Sequence, residues 1–492
     1  MSDELTQHRL DKMARIRERG DVPFKYDFDR SQTIGEARAA LETLEADYAE
    51  GALIENQSLA GRMVASRGQG KVTFADLRDE GAKIQVFLKK NTLGDESYEA
   101  LKDLDIGDFI GVHGKVKRTQ KGEITIFADS WQILTKNTRA LPEKHHGLTD
   151  VETRYRQRYL DMIANPEVLD TFKTRIQMVS VMRRALEADG YLEVETPMMH
   201  PIPGGATARP FVTHHNTYDR DLYMRVAPEL YLKKLIVGGF EKVFEINRCF
   251  RNEGVDTRHN PEFTSMELYK AYEDYYGLMD ETEELFKRTI QGTMGSLSFD
   301  YQGETIDCSD EWKRITLFDS IREYAGCDLE VTRDKEEAAK IAKSVGVECD
   351  ATIGYGKIVD EVMSEKVQPH LVQPTFLYDY PIELSPLAKK KRDNEALTER
   401  FQAVIGRMEL CNAFSELNDP IDQRERFEGQ GQLREEGDDE AQHLDEDFLT
   451  ALEIGMPPTA GLGIGIDRLA MLLTDSASIR EVIMFPQLRT IS

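Results

Sequence analysis

Cysteine is scarce in this 492-residue chain, tryptophan scarcer, and no apolar run comes near the length of a membrane span. The five cysteines (Cys249, Cys308, Cys327, Cys349, Cys411) are odd in number and widely scattered, with no C-x-x-C pair. That disfavours a disulfide framework and a cysteine-rich zinc site, and it fits a reducing cytoplasm. A membrane helix needs ~20 consecutive apolar residues. The opening MSDELTQHRLDKMARIRERG is instead charged throughout and has no apolar core of the kind a signal peptide carries. The expectation is a soluble, unexported protein with no membrane partner. Also missing are G-x-x-x-x-G-K-[ST], H-E-x-x-H and G-x-S-x-G, so any nucleotide chemistry uses another design. There is no internal repeat and no low-complexity tract.

What is present is ample for a core: 40% of residues are hydrophobic, with 18 Tyr and 21 Phe. The length implies two or three domains. Sixty-three Lys and Arg against 89 Asp and Glu leave a net charge of -26, which taken whole argues against a phosphate-rich partner. Locally the balance reverses. Residues 57–140 hold 14 Lys/Arg and 11 Asp/Glu, net +3, so one part can meet phosphate while the rest repels it.

Residues 1–56 mix charge with helical spacing (Leu41, Leu44, Tyr48, Leu53) and read as exposed helices of a surface extension. Between Ser58 and Trp131 the pattern changes to the short runs LAGRMVASR, KVTFADLRD, KIQVFLKK, FIGVHGKVKR and EITIFADSW, separated by Gly-containing turns. These are the strands of a small β-barrel, and the helical break Asp95–Leu104 between the third and fourth gives the layout of an OB-fold, a common oligonucleotide platform. After the connector TKNTRALPEKHHG come long amphipathic helices and mixed strands, the content of one large α+β domain. The expected division is a helical extension (1–56), an OB-fold (57–140), a linker (141–155) and a catalytic domain (156–492). The acidic stretch Glu435 to Asp447 reads as a solvated surface segment.

Two segments carry chemistry. GLGIGIDRLAML (461–472) alternates glycine and then becomes an apolar helix. It is either a glycine strand packed closely on a helix or a ligand-binding turn, and Arg468, opening the helix, can reach a phosphate or stack on a base. In CFRNEGVDTRHNPEFTSMELYKAY (249–272), Phe250–Glu253 and Phe263–Tyr269 read as paired strands joined by the loop 254–261. Period-two spacing sets Arg251 with Glu253 on one face, and Phe263, Ser265, Glu267 and Tyr269 on one face of the partner. So polar a sheet face is expensive to bury unless a polar ligand or an ion-pair network satisfies it.

FRNE…RHNPEFT…E-x-Y resembles motif 2 of the class II aminoacyl-tRNA synthetases, GLGIGIDRLAML resembles motif 3, and YLEVETPMMHPIPGGATARPF resembles motif 1. With APELYL, NAFSELNDP and the barrel, the nearest likeness is to the lysine-specific members of the anticodon OB-fold subgroup, from Ser58 to the end of the chain. The resemblance implies an α+β fold, an N-terminal OB barrel and a C-terminal antiparallel-sheet catalytic domain. It implies activation of L-lysine with MgATP to lysyl-adenylate and transfer to the 3'-terminal adenosine of tRNA(Lys), by a homodimer. Arg251 and Arg468 are then the catalytic residues. The ATP set is Arg251, Glu253, Arg258, His259, Asn260, Phe263, Glu409 and Arg468. The lysine set is Gly205, Glu229, Arg251, Glu267, Tyr269, Asn412, Phe414 and Glu416. Arg67, Phe74 and Gln85 fall at the anticodon-reading positions.

Magnesium marks a departure from the family pattern. Glu409 matches the metal-holding acid, but Gln402 stands where a second glutamate is usual. Glu409 is therefore expected to carry the principal metal contact and the metal sites near Gln402 to be weaker or absent; seven residues apart, the two fit facing parts of one helix–strand unit. An aspartate or asparagine enzyme of the same subgroup would need a cation where Glu416 and Tyr269 stand. A catalytically silent nucleic-acid-binding relative would have no reason to keep Arg251, Glu253, Phe263, Glu409 and Arg468. A lysine-modifying relative would be expected to lack the barrel.

Overall fold

A computed structural model describes residues 2–47, 51–142, 148–349, 354–435 and 441–489. Tyr48, the middle of the expected linker (143–147) and residues 436–440 of the acidic stretch lie outside them. The chain divides into two compact units, Met1–Asp170 and Thr171–Ser492.

In the first unit, β1 (Leu53–Gln69), β2 (Val72–Asp79), β3 (Ala82–Lys89), β4 (Phe109–Arg118) and β5 (Ile124–Thr135) close into a barrel in the order β1-β2-β3-β5-β4. Every second residue turns inward, as in Ile84, Val86 and Leu88, Ile110 and Val112, or Ile124 and Ile126, and these fill the interior. Two short helices, Lys90–Leu93 and Asp95–Ala100, separate β3 from β4. The helices α1 (Ser2–Glu18) and α2 (Ile34–Asp47) are present, but α2 is no exposed extension. Its Ile34, Ala37 and Leu41 are fully buried in the barrel's own core. Spacing reveals an apolar stripe without saying what covers it. Leu53, read with that stripe, instead starts β1, so a boundary at 57 falls inside a strand. Salt bridges hold α1: Arg15 to Asp103 at 2.8 Å and Lys12 to Asp105 at 2.7 Å. Lys136 is fully buried against Asp105 and Asp108, at 2.6 and 2.8 Å. The helices Val151–Arg156 and Arg158–Ala164 also belong to this unit, which runs past the boundary expected at 156.

The second unit is built on a nine-stranded sheet. Its main path uses β6 (Leu192–Glu193), β7 (Lys242–Phe250), β8 (Glu262–Ala271), β9 (Lys313–Thr316), β10 (Thr375–Pro381), β11 (Asn394–Ile405), β12 (Met408–Ser415) and β13 (Thr459–Gly465). The order is β9-β10-β11-β12-β13-β8-β7-β6; the pair Lys390–Lys391 adds to β11. Pairing is antiparallel through the centre and parallel only at the two ends, β9 with β10 and β6 with β7. One face carries Phe244, Met266, Leu268, Phe401, Ala403, Leu462 and Ile464 against the helices α3 (Glu167–Ala188), α4 (Tyr275–Met294) and α5 (Ile466–Leu473). Because side chains alternate, the same strands must present Glu267, Tyr269, Asn412 and Phe414 on the opposite face. That face is where the chemistry gathers. The acidic stretch is only partly a solvated surface: Ala441 and Gln442 are buried, and the buried Asp445 caps the helix Glu446–Ile454 through the Phe448 amide, whereas Glu446 and Asp447 are exposed.

Candidate active site

One cavity opens on the polar face of the sheet, and every residue named above for ATP and for lysine lines it. Cysteine 411, Gly461, Gly463 and Asp467 line it too. Strand β7 ends at Phe250, so Arg251 and Glu253 sit in the β7–β8 loop rather than on a strand. A backbone bond from the Arg251 amide to the Pro261 carbonyl (2.8 Å) closes the base of that loop. The Arg251 guanidinium lies 5.1 Å from the centre of the Phe263 ring, and its buried Nε has no partner. An oriented guanidinium with an open donor is prepared for an anion.

Asp256 organises the loop, a residue the sequence reading passed over. Its carboxylate accepts from the backbone amides of Arg258 (2.6 Å) and His259 (2.8 Å) and from the His259 ring at Nδ1 (2.8 Å). Burial opposes ionisation, but those bonds outweigh it and hold the Asp256 carboxyl below its ordinary value. His259 Nε2 lies 3.1 Å from Arg468 Nη2. Arg468 Nη1 donates to the Glu409 carbonyl (3.0 Å) and lies 3.6 Å from its carboxylate. Asp467, also unremarked in the sequence, ties helix α5 to strand β8: it accepts from the Thr264 amide at 2.7 Å and pairs with Arg175. Asn260 is spent internally, donating to the Glu262 carbonyl (2.6 Å) and accepting from the Gln487 amide (3.3 Å).

At the other end of the cavity lie three buried carboxylates, Glu229, Glu267 and Glu416. Glu229 opens helix Glu229–Val237, and at 6% exposure it is neither a surface residue nor a side-chain cap. Tyr269 donates to Glu267 at 3.1 Å. Burial, and then the neighbouring Glu229 carboxylate, push the Glu267 carboxyl up to about 8. Burial likewise raises Tyr269, which stays a neutral donor. Glu416 is 1% exposed, and neither of its oxygens has a partner with hydrogen-bond geometry. Asn412 is aimed by Arg400, whose Nε donates to its Oδ1 at 2.7 Å.

Two glycines are steric requirements of this end. Gly461 on β13 leaves room for the floor, since a Cβ there would fall 2.1 Å from Glu416 Oε1 and 2.5 Å from Tyr269 Cε1. Gly205 has φ +92° and passes so near Glu229 that its Cβ would lie 3.0 Å from that side chain's own Cβ. The positive φ strains any other residue at Gly205, and the tight approach to Glu229 adds to that cost.

Gln402 is not where the sequence reading put it. It lies on β11 and Glu409 on the neighbouring β12, two strands of one hairpin rather than a helix–strand unit. Gln402 is 5% exposed, off the cavity wall, and its Oε1 accepts from Tyr380 Oη at 2.6 Å. A side chain so committed is a packing residue.

A family model described as tRNA synthetases class II (D, K and N) matches residues 150–489, more than half of the chain. The chain belongs to the class II tRNA synthetases. A second model, OB-fold nucleic acid binding domain, matches residues 57–134. The lysine–tRNA ligase of Carboxydothermus hydrogenoformans is 53% identical over 487 residues, covering 99% of this chain and 98% of its own length. Those of Bacillus subtilis and Oceanobacillus iheyensis are 52% and 50% identical, over 489 and 493 residues, covering 99% and 100% of this chain and 98% and 100% of their own lengths.

The synthetase's barrel offers a second surface. Arg67 pairs with Phe74 across β1 and β2, and Phe74 with Phe87 across β2 and β3. Ring centres run from Phe74 to Phe87 to Phe127 in steps of 5.1 Å, and Lys117 Nζ lies 4.6 Å over Phe127. The three rings are half-buried while their strand neighbours Ala75, Val86 and Ile126 are buried, so the rings stand on the outer face. Gln85 shares the Phe87 side of β3, its Oε1 accepting from Thr125 at 3.1 Å. Phe87 and Phe127 were not singled out by sequence, although two-residue spacing from Gln85 pointed to Phe87. Rings beside cations form a stacking platform for single-stranded bases. Phe87→Ala should lower kcat/KM for tRNA charging about tenfold or more, in line with ~1–3 kcal/mol per stacked base, and leave lysine-dependent ATP–pyrophosphate exchange unchanged. Equal loss in both assays would place Phe87 in the barrel's structure instead of its interface.

Proposed function

We propose that this cavity carries out lysine–tRNA ligation in two steps. The observation that carries the reading is the polarity of one cavity: buried carboxylates at one end, Arg258, His259 and Arg468 at the other, and Arg251 between them. An ammonium side chain belongs with the first group and a triphosphate with the second. In the first step an oxygen of the lysine carboxylate attacks the α-phosphorus of ATP. The bond to the β-phosphate oxygen breaks and pyrophosphate leaves, giving lysyl-adenylate. In the second, a terminal ribose hydroxyl of tRNA attacks the acyl carbon and AMP leaves.

The lysine carboxylate is already ionised, so the first step needs no base. It needs two anions held together, and Arg251 at the junction of the two ends can bridge lysine carboxylate and α-phosphate. Phe263 and Arg468 flank the space for adenine, while Arg258 and His259, set by Asp256, take the outer phosphates. Glu416 with Tyr269 and Glu267 takes the ε-ammonium. Glu229, beside the Gly205 backbone, takes the α-ammonium.

Magnesium fits this donor set through one protein ligand. The Glu409 carboxylate is 37% exposed beside Arg468, and with the triphosphate oxygens it would hold an ion that prefers hard oxygen and keeps several waters. The ion supplies neutralisation of charge on the α- and β-phosphates.

Assaying twenty amino acids in ATP–pyrophosphate exchange tests the reading. Lysine alone should drive it efficiently, and equal stimulation by aspartate or asparagine would overturn it. The anticodon of tRNA is assigned to the ring-bearing barrel face. A homodimer in the cytoplasm completes the proposal, supported by the five free cysteines and by the exposed Ile176, Leu192, Met199 and Val212 around the motif 1 segment. Sedimentation at micromolar concentration should find the dimer; a stable, active monomer would contradict it.

A further inference from the structure

Lys233 lies one helical turn after Glu229 and is completely buried, yet it is absent from the cavity wall. Its Nζ donates to Glu229 Oε1 at 2.5 Å and pairs with Glu416 Oε2. It approaches both carboxylates from behind, between the rings of Phe414 (5.4 Å) and Phe448 (5.8 Å). Each carboxylate thus has one oxygen engaged by Lys233, leaving Glu229 Oε2 and Glu416 Oε1 for the cavity.

We infer that Lys233 is a positioning residue of the amino-acid pocket, one that fixes the orientation and charge of Glu229 and Glu416 so that each presents an ionised oxygen to one ammonium group of the substrate. The inference rests on the reading of this cavity as the lysine site. Charge supports it. The groups facing this space are Glu229 and Lys233 from the helix Glu229–Val237, Glu416 just beyond β12, Glu267 and Tyr269 from β8, and Arg251 from the β7–β8 loop. Behind them Arg225 is committed to Glu245 at 2.7 Å, and burial keeps the Cys249 thiol neutral. Three carboxylates against Lys233 and Arg251 leave the ionised pocket one positive charge short. Lysine, with two ammonium groups and one carboxylate, supplies that charge.

Without Lys233 the negative charge of the pocket is uncompensated, and its carboxyls hold their protons more tightly. Burial raises both Glu229 and Glu416, and Lys233 is the leading influence holding each down. Burial would depress the Lys233 ammonium, but Glu229 and Glu416 outweigh it and raise it, so Lys233 stays charged. Removing the cation therefore moves both carboxyls further up, and they ionise only at higher pH.

The test follows lysine-dependent exchange from pH 6 to 9.5 in wild type, Lys233→Met and Lys233→Arg. In Lys233→Met the acid limb of kcat/KM for lysine should move at least one pH unit upward. Lysine KM at pH 7 should rise about tenfold or more, and the defect should shrink toward pH 9 with ATP KM unchanged. Lys233→Arg should restore the limb. A uniform loss at every pH, or an unmoved limb, would overturn the inference. A wild-type measurement covers the case in which Lys233→Met does not fold. Calorimetry of lysine binding in buffers of unequal ionisation heat counts protons at pH 7. At most one, from Glu267, should leave per lysine, and release of two would show that the Glu229–Glu416 pair is not kept ionised. Glu416→Gln separates this failure from the failure of the site itself. If that variant raises lysine KM while Lys233→Met does not move the limb, only the role of Lys233 falls. If it leaves lysine KM unchanged, the site reading falls with it.

Discussion

Replacing Arg251 with lysine lowers kcat/KM for lysine-dependent ATP–pyrophosphate exchange on the order of 10³-fold, about 4 kcal/mol of transition-state stabilisation. The expected size comes from geometry. Arg251 is held over the Phe263 ring with a buried, unpartnered Nε, at the point where the carboxylate-rich and cation-rich ends of the cavity meet. A planar fork there can bond two anions at once, whereas an ammonium acts as a single point charge. The loss should appear mainly in kcat, because the clamp matters most as charge moves from carboxylate to leaving pyrophosphate. Steady-state exchange kinetics measure it. A loss below tenfold would place Arg251 outside the reacting centre.

Glu416→Gln should raise lysine KM by 10²- to 10³-fold, roughly 3–4 kcal/mol, while ATP KM stays within a few-fold. The amide keeps the shape of the side chain but not its charge, in a place where Lys233 engages one oxygen of the buried carboxylate and the other, Oε1, has no partner. A second consequence follows from the ion pair with Lys233, which in the variant keeps only Glu229. A partly unpaired buried ammonium is destabilising, so the melting temperature should fall by several degrees. Lysine kinetics and thermal melts of the same preparation distinguish the two effects. Unchanged lysine KM with lowered stability would mean that Glu416 serves only the core.

Much of the cavity was legible because its residues recur at short intervals. Phe263, Ser265, Glu267 and Tyr269 alternate along one strand, and all four reach the cavity, since a strand turns every second side chain to the same face. Arg251 and Glu253 reached it by a different route: the strand ended at Phe250, and the loop held by Asp256 carried them there. Asp256 was illegible because an acid between two glycine- and proline-bounded polar runs has no periodicity to stand out from. Gln402 was illegible in another way: the family resemblance gave its place beside a metal-binding acid but not its partner, and it accepts a hydrogen bond from Tyr380 on another strand.

The sequence alone determined the five barrel strands, the helical break between the third and fourth, the glycine strand running into the Arg468 helix, and the chemical types at both ends of the cavity. These depend on local alternation and on turn residues, all written within a dozen neighbouring positions. Only the tertiary structure decided that α2 closes the barrel core, that Phe74, Phe87 and Phe127 form one row, and that Lys233 stands behind both Glu229 and Glu416. The helix periodicity places Glu229 beside Lys233, but Glu416 lies far along the chain. It arrives there because β8 and β12 both pair with β13, which sets Tyr269 and Phe414 opposite Gly461, with Glu416 just past the strand end. Strand order, which no local pattern encodes, therefore chose which carboxylates share one buried cation.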